Sequence, residues 1–270
     1  MSAGFPGNNG LDPSTCIHIM KTYVVPILLY GLEVITPDKE NLEKLEKFHK
    51  RMVKRILSLP QNAPDIVPNI ISGLIPIERQ IHIKVLTFLY SICLLPNTST
   101  ENKIAKRQIS VKSGQSNSWL IYAKKIIWKY NLPEIYLLLE APYTKAEWKK
   151  LTYEKVYQYW KNQLTSLSEY YTYLKYLYVE AFKPGKQHPL IFLPTMSARD
   201  TDRIPIKLKL VSGSYIFQSN RSKFNQSQID ATCLLCGEED EDLEHFLLRC
   251  QLRETTRQVT IYAIDNEVNN

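Results

Sequence analysis

The sequence predicts a mainly α-helical chain, and three observations carry that expectation. Tyrosine is abundant at 17 and glycine scarce at 9 among 270 residues, a balance that suits long helices with aromatic faces better than a turn-rich sandwich. Apolar residues recur at steps of three and four through several segments, which gathers side chains on one face of a helix. Prolines stand mostly between these segments, as a ring without an N–H requires. Hydrophobic residues make up 44% of the chain and charged residues 23%, enough apolar material for one large or two modest domains.

Asp12 before Pro13 predicts a helix start. The run 16–35 is apolar on several faces, and Pro26 is expected to kink or break it. Thr36, Pro37 and Asp38 predict a second start with Pro37 at the first helical position, followed by a stripe of Leu42, Leu45, Phe48, Met52 and Ile56. The polar face of that helix places Glu40, Glu43 and Glu46 ahead of Lys50, Arg51, Lys54 and Arg55, the order the helix dipole favours. His49 is expected on its surface or in a groove. Four prolines between 60 and 76 mark a connector with one short helix, and Pro76 opens a helix whose Ile77, Ile81, Val85, Phe88, Leu89 and Ile92 make a core stripe. His82 belongs in or beside that core.

Residues 97–118 are rich in Ser, Thr, Asn and Lys and read as a polar linker between domains. The expected organisation is a helical segment over 1–96, the linker over 97–118, a helical domain over 119–224 and a small terminal module over 225–270. Within the second domain, 119–130 and 133–140 predict short helices, and Thr144 with Glu147 makes a capping box. Tyr153, Tyr157, Trp160, Leu164, Leu167, Tyr171, Leu174 and Leu177 form a three-and-four stripe expected to pack in a helix interface. Residues 184–194 read as extended, and a last helix over 198–210 is ended by Gly213.

Near the end, Cys233, Cys236, His245 and Cys250 form a C-x2-C-x8-H-x4-C array. Two thiolates separated by two residues can share an ion from a tight turn, and a His and a Cys supply the other two tetrahedral positions from one helical face. The array therefore predicts a zinc site with all four positions filled, structural rather than catalytic. Cys16 and Cys93 lie in apolar runs and read as buried thiols.

The net charge of +7 is unevenly placed, because residues 233–270 hold three Arg against nine acids. Glu238, Glu239, Asp240, Glu241, Asp242 and Glu244 fill the loop between the second Cys and the His, where they repel phosphate. A grip on nucleic acid is thus expected upstream, in the lysine-rich span 103–161 and at Arg199, Arg203, Lys207, Lys209, Arg221 and Lys223. The acidic loop itself suits a protein partner. The first ten residues lack the charge and apolar core of a signal peptide, and no uncharged apolar stretch approaches about 18 residues, so the chain is expected to be soluble and intracellular, with no membrane partner.

Four stretches resemble the C-terminal part of reverse transcriptase polyproteins from non-LTR retrotransposons. They are 23–33, YVVPILLYGLE; 71–92, ISGLIPIERQIHIKVLTFLYSI, with its G-L-x-P-I-E core; 207–224, KLKLVSGSYIFQSNRSKF; and 233–250, CLLCGEEDEDLEHFLLRC. The last is the most specific, joining ligand spacing to an apolar helix in E-H-F-L-L-x-C. The resemblance implies a post-palm region ending in a zinc knuckle, with retroelement RNA or target DNA as partner. The Y/F-x-D-D turn that holds two catalytic metals in such polymerases is absent from this sequence, so no enzyme activity is expected. Phosphate-loop, zinc-protease and serine-hydrolase motifs are absent as well. The chain reads as the tail of a truncated element copy, or as the portion of a longer polyprotein after its palm. The alternative is a helical protein-interaction domain, or a retroelement remnant without function, carrying a structural zinc site.

Overall fold

The computed structural model describes residues 11–171, 174, 176, 177, 182–191, 198–224 and 229–268. They form twelve α-helices, and the only β pairing among the described residues is two isolated bridges, as the helical expectation requires. None of the helices is long and apolar enough to cross a membrane. The chain divides into two compact units, Met1–Ser212 and Gly213–Asn270.

In the first unit, α1 (Pro13–Ile19) begins on Asp12, whose side chain accepts from the Thr15 N–H. It runs through a wide π-helical turn, Met20–Val24, into α2 (Val25–Leu28), with Pro26 in the first turn. Pro26 has no N–H to donate and its ring crowds the carbonyl four residues back, so the widened turn absorbs the expected break. α3 (Lys39–Ile56) is capped by Asp38, whose side chain accepts from the Asn41 N–H at 2.7 Å. Pro37 therefore precedes the cap and does not open the helix, because the Asp carboxylate satisfies an orphan donor that Pro37 could not.

The first unit is arranged around α5 (Ile77–Cys93), which packs on α3, α6 (Thr100–Val111), α7 (Trp119–Lys129), α8 (Ile135–Glu140) and α9 (Lys145–Glu169). Ile77, Ile81, Val85, Leu86 and Leu89 are completely buried, and each such side chain contributes roughly 1.5–3 kcal/mol when taken out of water. Phe88 and Ile92, expected in that stripe, sit nearer its edge, with Phe88 against Trp119 at 5.2 Å between ring centroids.

Three further expectations are corrected. The span 97–118 contains α6, capped by Ser99, and Ala105 and Ile109 enter the same core as α5 and α7. It is therefore no boundary. Two apolar residues one turn apart amid lysines are too sparse to stand out as a stripe, but they suffice against an existing core. On α9, which carries the expected Thr144–Glu147 capping box, the buried face is Trp148, Thr152, Val156 and Leu164, whereas Tyr153 is 51% and Leu167 43% exposed. Trp148 stacks on Tyr90 at 5.7 Å, so the buried face lies to one side of the predicted stripe, with Leu164 common to both. His49 is wholly buried rather than superficial, and burial, aided by Lys50, lowers its pKa to about 4.

His82 is buried as expected, with Nδ1 2.7 Å from the Tyr130 hydroxyl. Burial lowers its pKa to about 4, with Glu78 opposing and Lys129 assisting. Trp160 donates through Nε1 to the same hydroxyl at 3.0 Å, so half-buried aromatics of α9 close a polar cluster rather than a purely apolar seam.

α4 (Val67–Ser72) ends at Gly73 in the left-handed conformation, φ 66°. Onto Gly73 docks the turn 183–186: Gly185 donates its N–H to the Gly73 carbonyl at 2.8 Å, and His188 donates to Ile71 at 2.9 Å. A Cβ on Gly73 would lie 2.0 Å from the Lys186 carbonyl oxygen. The glycine of the G-L-x-P-I-E core is thus demanded twice, by backbone sign and by space. α10 (Ala198–Val211) buries Ile204 and Leu208.

Two predictions follow from these positions. Because His49 and His82 have folded pKa values near 4 against an ordinary 6.5, the stability they carry is present above pH 6.5 and lost as pH falls toward 4. Between pH 7.5 and 5 the loss is about 2 kcal/mol each. All four tryptophans lie in the first unit, so denaturant titration followed by their fluorescence reads it, and a His82→Gln variant should show a shallower pH slope. A flat profile would contradict the burial argument. Gly73→Ala should lower stability by roughly 3 kcal/mol in the same assay, and an unchanged midpoint would remove the close approach.

Candidate metal centre

The second unit builds its site from two short devices. The first is a hairpin: Thr232 and Asp240 form an antiparallel bridge, Cys233 donates its N–H to Glu239 at 2.8 Å, and Glu241 donates to Ala231 at 2.8 Å. Inside it Gly237, φ 69°, donates to the Cys233 carbonyl at 2.9 Å. This left-handed residue closes the turn that brings Cys236 back beside Cys233.

The second device is a π-helical turn, His245–Arg249, in which Cys250 donates its N–H to the His245 carbonyl at 2.8 Å. The expectation of one ordinary helical face is refined here. In an α-helix, residues five apart point about 140° away from each other, whereas the wider turn returns them to one side. Asp242 starts this segment by accepting from the His245 N–H at 2.7 Å, a cap that an Asp three residues ahead of a His can signal in a sequence.

The ligand atoms of Cys233, Cys236, His245 and Cys250 all lie within 4.8 Å of one another, with Cys236 Sγ 3.3 Å from His245 Nε2. A tetrahedral ion holding thiolates at about 2.3 Å separates sulfurs by about 3.8 Å, so the set fits one ion. Cys233, His245 and Cys250 are buried. Among the described residues this is the one such cluster. With Nε2 toward the thiols, His245 Nδ1 meets Glu239 Oε2 at 3.1 Å, which fixes the ring and its tautomer. Arg249 in turn lies 3.6 Å from Glu239 and 3.5 Å from Asp242. Two of the acids that read only as negative charge therefore have positioning roles.

Three of the four groups are shifted by their surroundings, in different directions. Burial pushes the Cys233 thiol up, but N–H groups of Cys236 and Leu235 and the His245 side chain outweigh it and bring the value down to about 7. Burial raises Cys250, with the neighbouring sulfurs of Cys236 and Cys233 adding to it. For His245, burial favours the neutral ring, and the Glu239 carboxylate overcomes it and raises the pKa. Ionised sulfurs this close repel one another, and a divalent cation removes that repulsion.

The knuckle is tied to its surroundings by specific contacts. Phe246 packs on Phe217 at 5.6 Å and Tyr215 at 6.3 Å, and the Arg253 guanidinium lies 3.7 Å above the Phe246 ring. Ser219, in α11 (Gln218–Phe224), donates its hydroxyl to the Glu241 carbonyl at 2.7 Å. Arg257, in α12 (Glu254–Val268), donates to the carbonyls of Leu247 at 3.1 Å and Cys250 at 2.7 Å.

The six basic residues are divided. Arg203 and Lys207 are exposed one turn apart on α10, Lys209 is half-buried on another side of it, and the Arg199 side chain lies outside the described residues. Arg221 and Lys223 are exposed on α11, in the other unit. No protein-family model, curated protein or solved structure matches the chain, so the retroelement resemblance rests on its four sequence stretches.

Purified protein should carry one metal ion per chain, released by Cys236→Ser or His245→Ala. Chelation should cost helical ellipticity from 213–270 while leaving tryptophan fluorescence, which reports only on the first unit, unchanged. A parallel loss of both signals would contradict separate units.

Proposed function

We propose that this chain is a nucleic-acid-binding protein whose terminal module is locked by a structural zinc ion, akin to the post-palm region of a non-LTR reverse transcriptase and without polymerase activity of its own. Zinc is the ion that a closed Cys3His set favours, and four protein ligands leave no position for a reacting water. Cys233, Cys236, His245 and Cys250 are its ligands, Glu239 orients the imidazole, and the Phe246 cluster shields the knuckle.

The observation that carries the nucleic-acid reading is the unpaired positive charge of the first unit. Lys103, Lys106 and Arg107 on α6 and Lys149, Lys150 and Lys155 on α9 are exposed, and none makes an ion pair among the described residues. They are available to phosphates, as are Arg203 and Lys207. Such contacts displace counterions from the polynucleotide, which makes binding strongly salt-dependent.

A second reading, a protein-interaction module, draws on the knuckle itself. Leu234, Leu235, Leu247 and Leu248 are exposed there beside the acidic loop, a combination that suits a protein surface better than a phosphate backbone.

Affinity for single-stranded RNA and duplex DNA, measured from 50 to 200 mM salt, should fall roughly tenfold or more. Charge reversal of Arg203 and Lys207 should weaken binding and flatten that slope. Weak, salt-independent association unaffected by the reversal would favour the interaction reading.

A further inference from the structure

The first unit contains a cleft of about 660 Å³ between α1, the loop after α4 and the turn 183–186. That is within the range of small-ligand sites. Among the described residues its ionisable lining is entirely basic: His18, Lys21 and Lys186, with no carboxylate. Asp12, at the start of α1, is engaged by the Thr15 N–H and hydroxyl. Cations gathered in a concave site act on an anion together, unlike lysines spread over a convex face.

The cleft is also built rather than incidental. Ser14 donates its hydroxyl to Gln187 at 2.5 Å, and Gln187 returns its amide to the Ser14 carbonyl at 3.0 Å, bracing α1 against the turn. On the opposite wall, Gly73 is pressed so closely on Lys186 that no Cβ fits. Gly185, φ 81°, presents bare backbone, and a Cβ there would meet only the Lys21 ammonium, at 3.6 Å. Among the described residues Lys21 makes a single long hydrogen bond, 3.4 Å, to the Gly185 carbonyl. Two of its three N–H groups thus remain for a ligand.

We infer that this cleft takes a phosphate group of a nucleotide or nucleic-acid strand, held by Lys21, Lys186 and His18. Among the described residues no aromatic side chain lines it, so recognition is of phosphate and sugar without base preference. The assignment deepens the nucleic-acid reading above, giving it a specific seat distinct from the exposed rows on α6, α9 and α10.

The test uses the full chain with three probes: inorganic phosphate, a mononucleotide and a single-stranded RNA of mixed sequence. Either small probe should shift the His18 ring resonances by NMR, and Lys21→Glu with Lys186→Glu should abolish the shift and weaken RNA binding at least tenfold. Arg203→Glu with Lys207→Glu should leave the small-probe response intact. Far-UV circular dichroism checks that these exposed substitutions keep the fold. If RNA binds wild type and the Lys21/Lys186 variant equally, with no His18 shift, the cleft is overturned while the broader reading stands. If the small probes shift His18 but RNA does not bind, the cleft stands and the nucleic-acid function falls.

Discussion

Three sulfurs and an imidazole nitrogen within 4.8 Å of one another are the constraint on which the second unit depends. Neutral thiols packed together would gain little, and ionised ones would push apart. A divalent ion held there would reverse the sign of that interaction and join a hairpin, a π-helical turn and a terminal helix into one folded piece. The surrounding groups all serve this convergence: Gly237 closes the hairpin, Asp242 starts the second turn, and Glu239 holds the imidazole. The acidic loop is partly scaffold, since Arg249 spans Glu239 and Asp242. Among its described residues this module has little apolar interior apart from Tyr215, Phe217 and Phe246, and an ion can supply what its core cannot.

The first unit solves the same problem by ordinary burial. α5 is apolar enough to be covered by five other helices, and of the polar groups it carries inside, His82 is paired with Tyr130 whereas the Arg79 guanidinium has no hydrogen-bond partner among the described residues. Its demanding backbone point is Gly73, where a left-handed residue lets the turn 183–186 approach the loop after α4. The same approach shapes the basic cleft. Packing and binding chemistry therefore share one glycine, linking the most distinctive sequence stretch of this unit to a place where a ligand can sit.

Much of this was legible in the sequence where a local rule acts alone. The Asp12 cap, the Thr144–Glu147 capping box and the α5 stripe depend on residues a few positions apart, as does the spacing of the metal ligands. Tertiary context decided the rest. α6 is helical because a neighbouring core receives Ala105 and Ile109, α9 turns Trp148 rather than Tyr153 inward because Trp148 finds Tyr90, and His49 is drawn inside by the packing of α3. Arg79 is a further case, a wholly buried guanidinium whose pKa is lowered by burial, with Tyr153, Tyr130 and Tyr157 opposing. No short-range pattern marked it, because burial of a charge on an apolar helix depends on what covers it. The π-helical turn between His245 and Cys250 escaped for a related reason: x4 spacing fixes which residues bind but not how the backbone brings them round.

X-ray absorption at the zinc edge of the purified chain tests the central claim most directly. The account predicts a four-coordinate shell of three sulfurs at about 2.3 Å and one nitrogen at about 2.0–2.1 Å. A shell of five or six light atoms, or protein free of metal with its clustered cysteines oxidised to a disulfide, would contradict it.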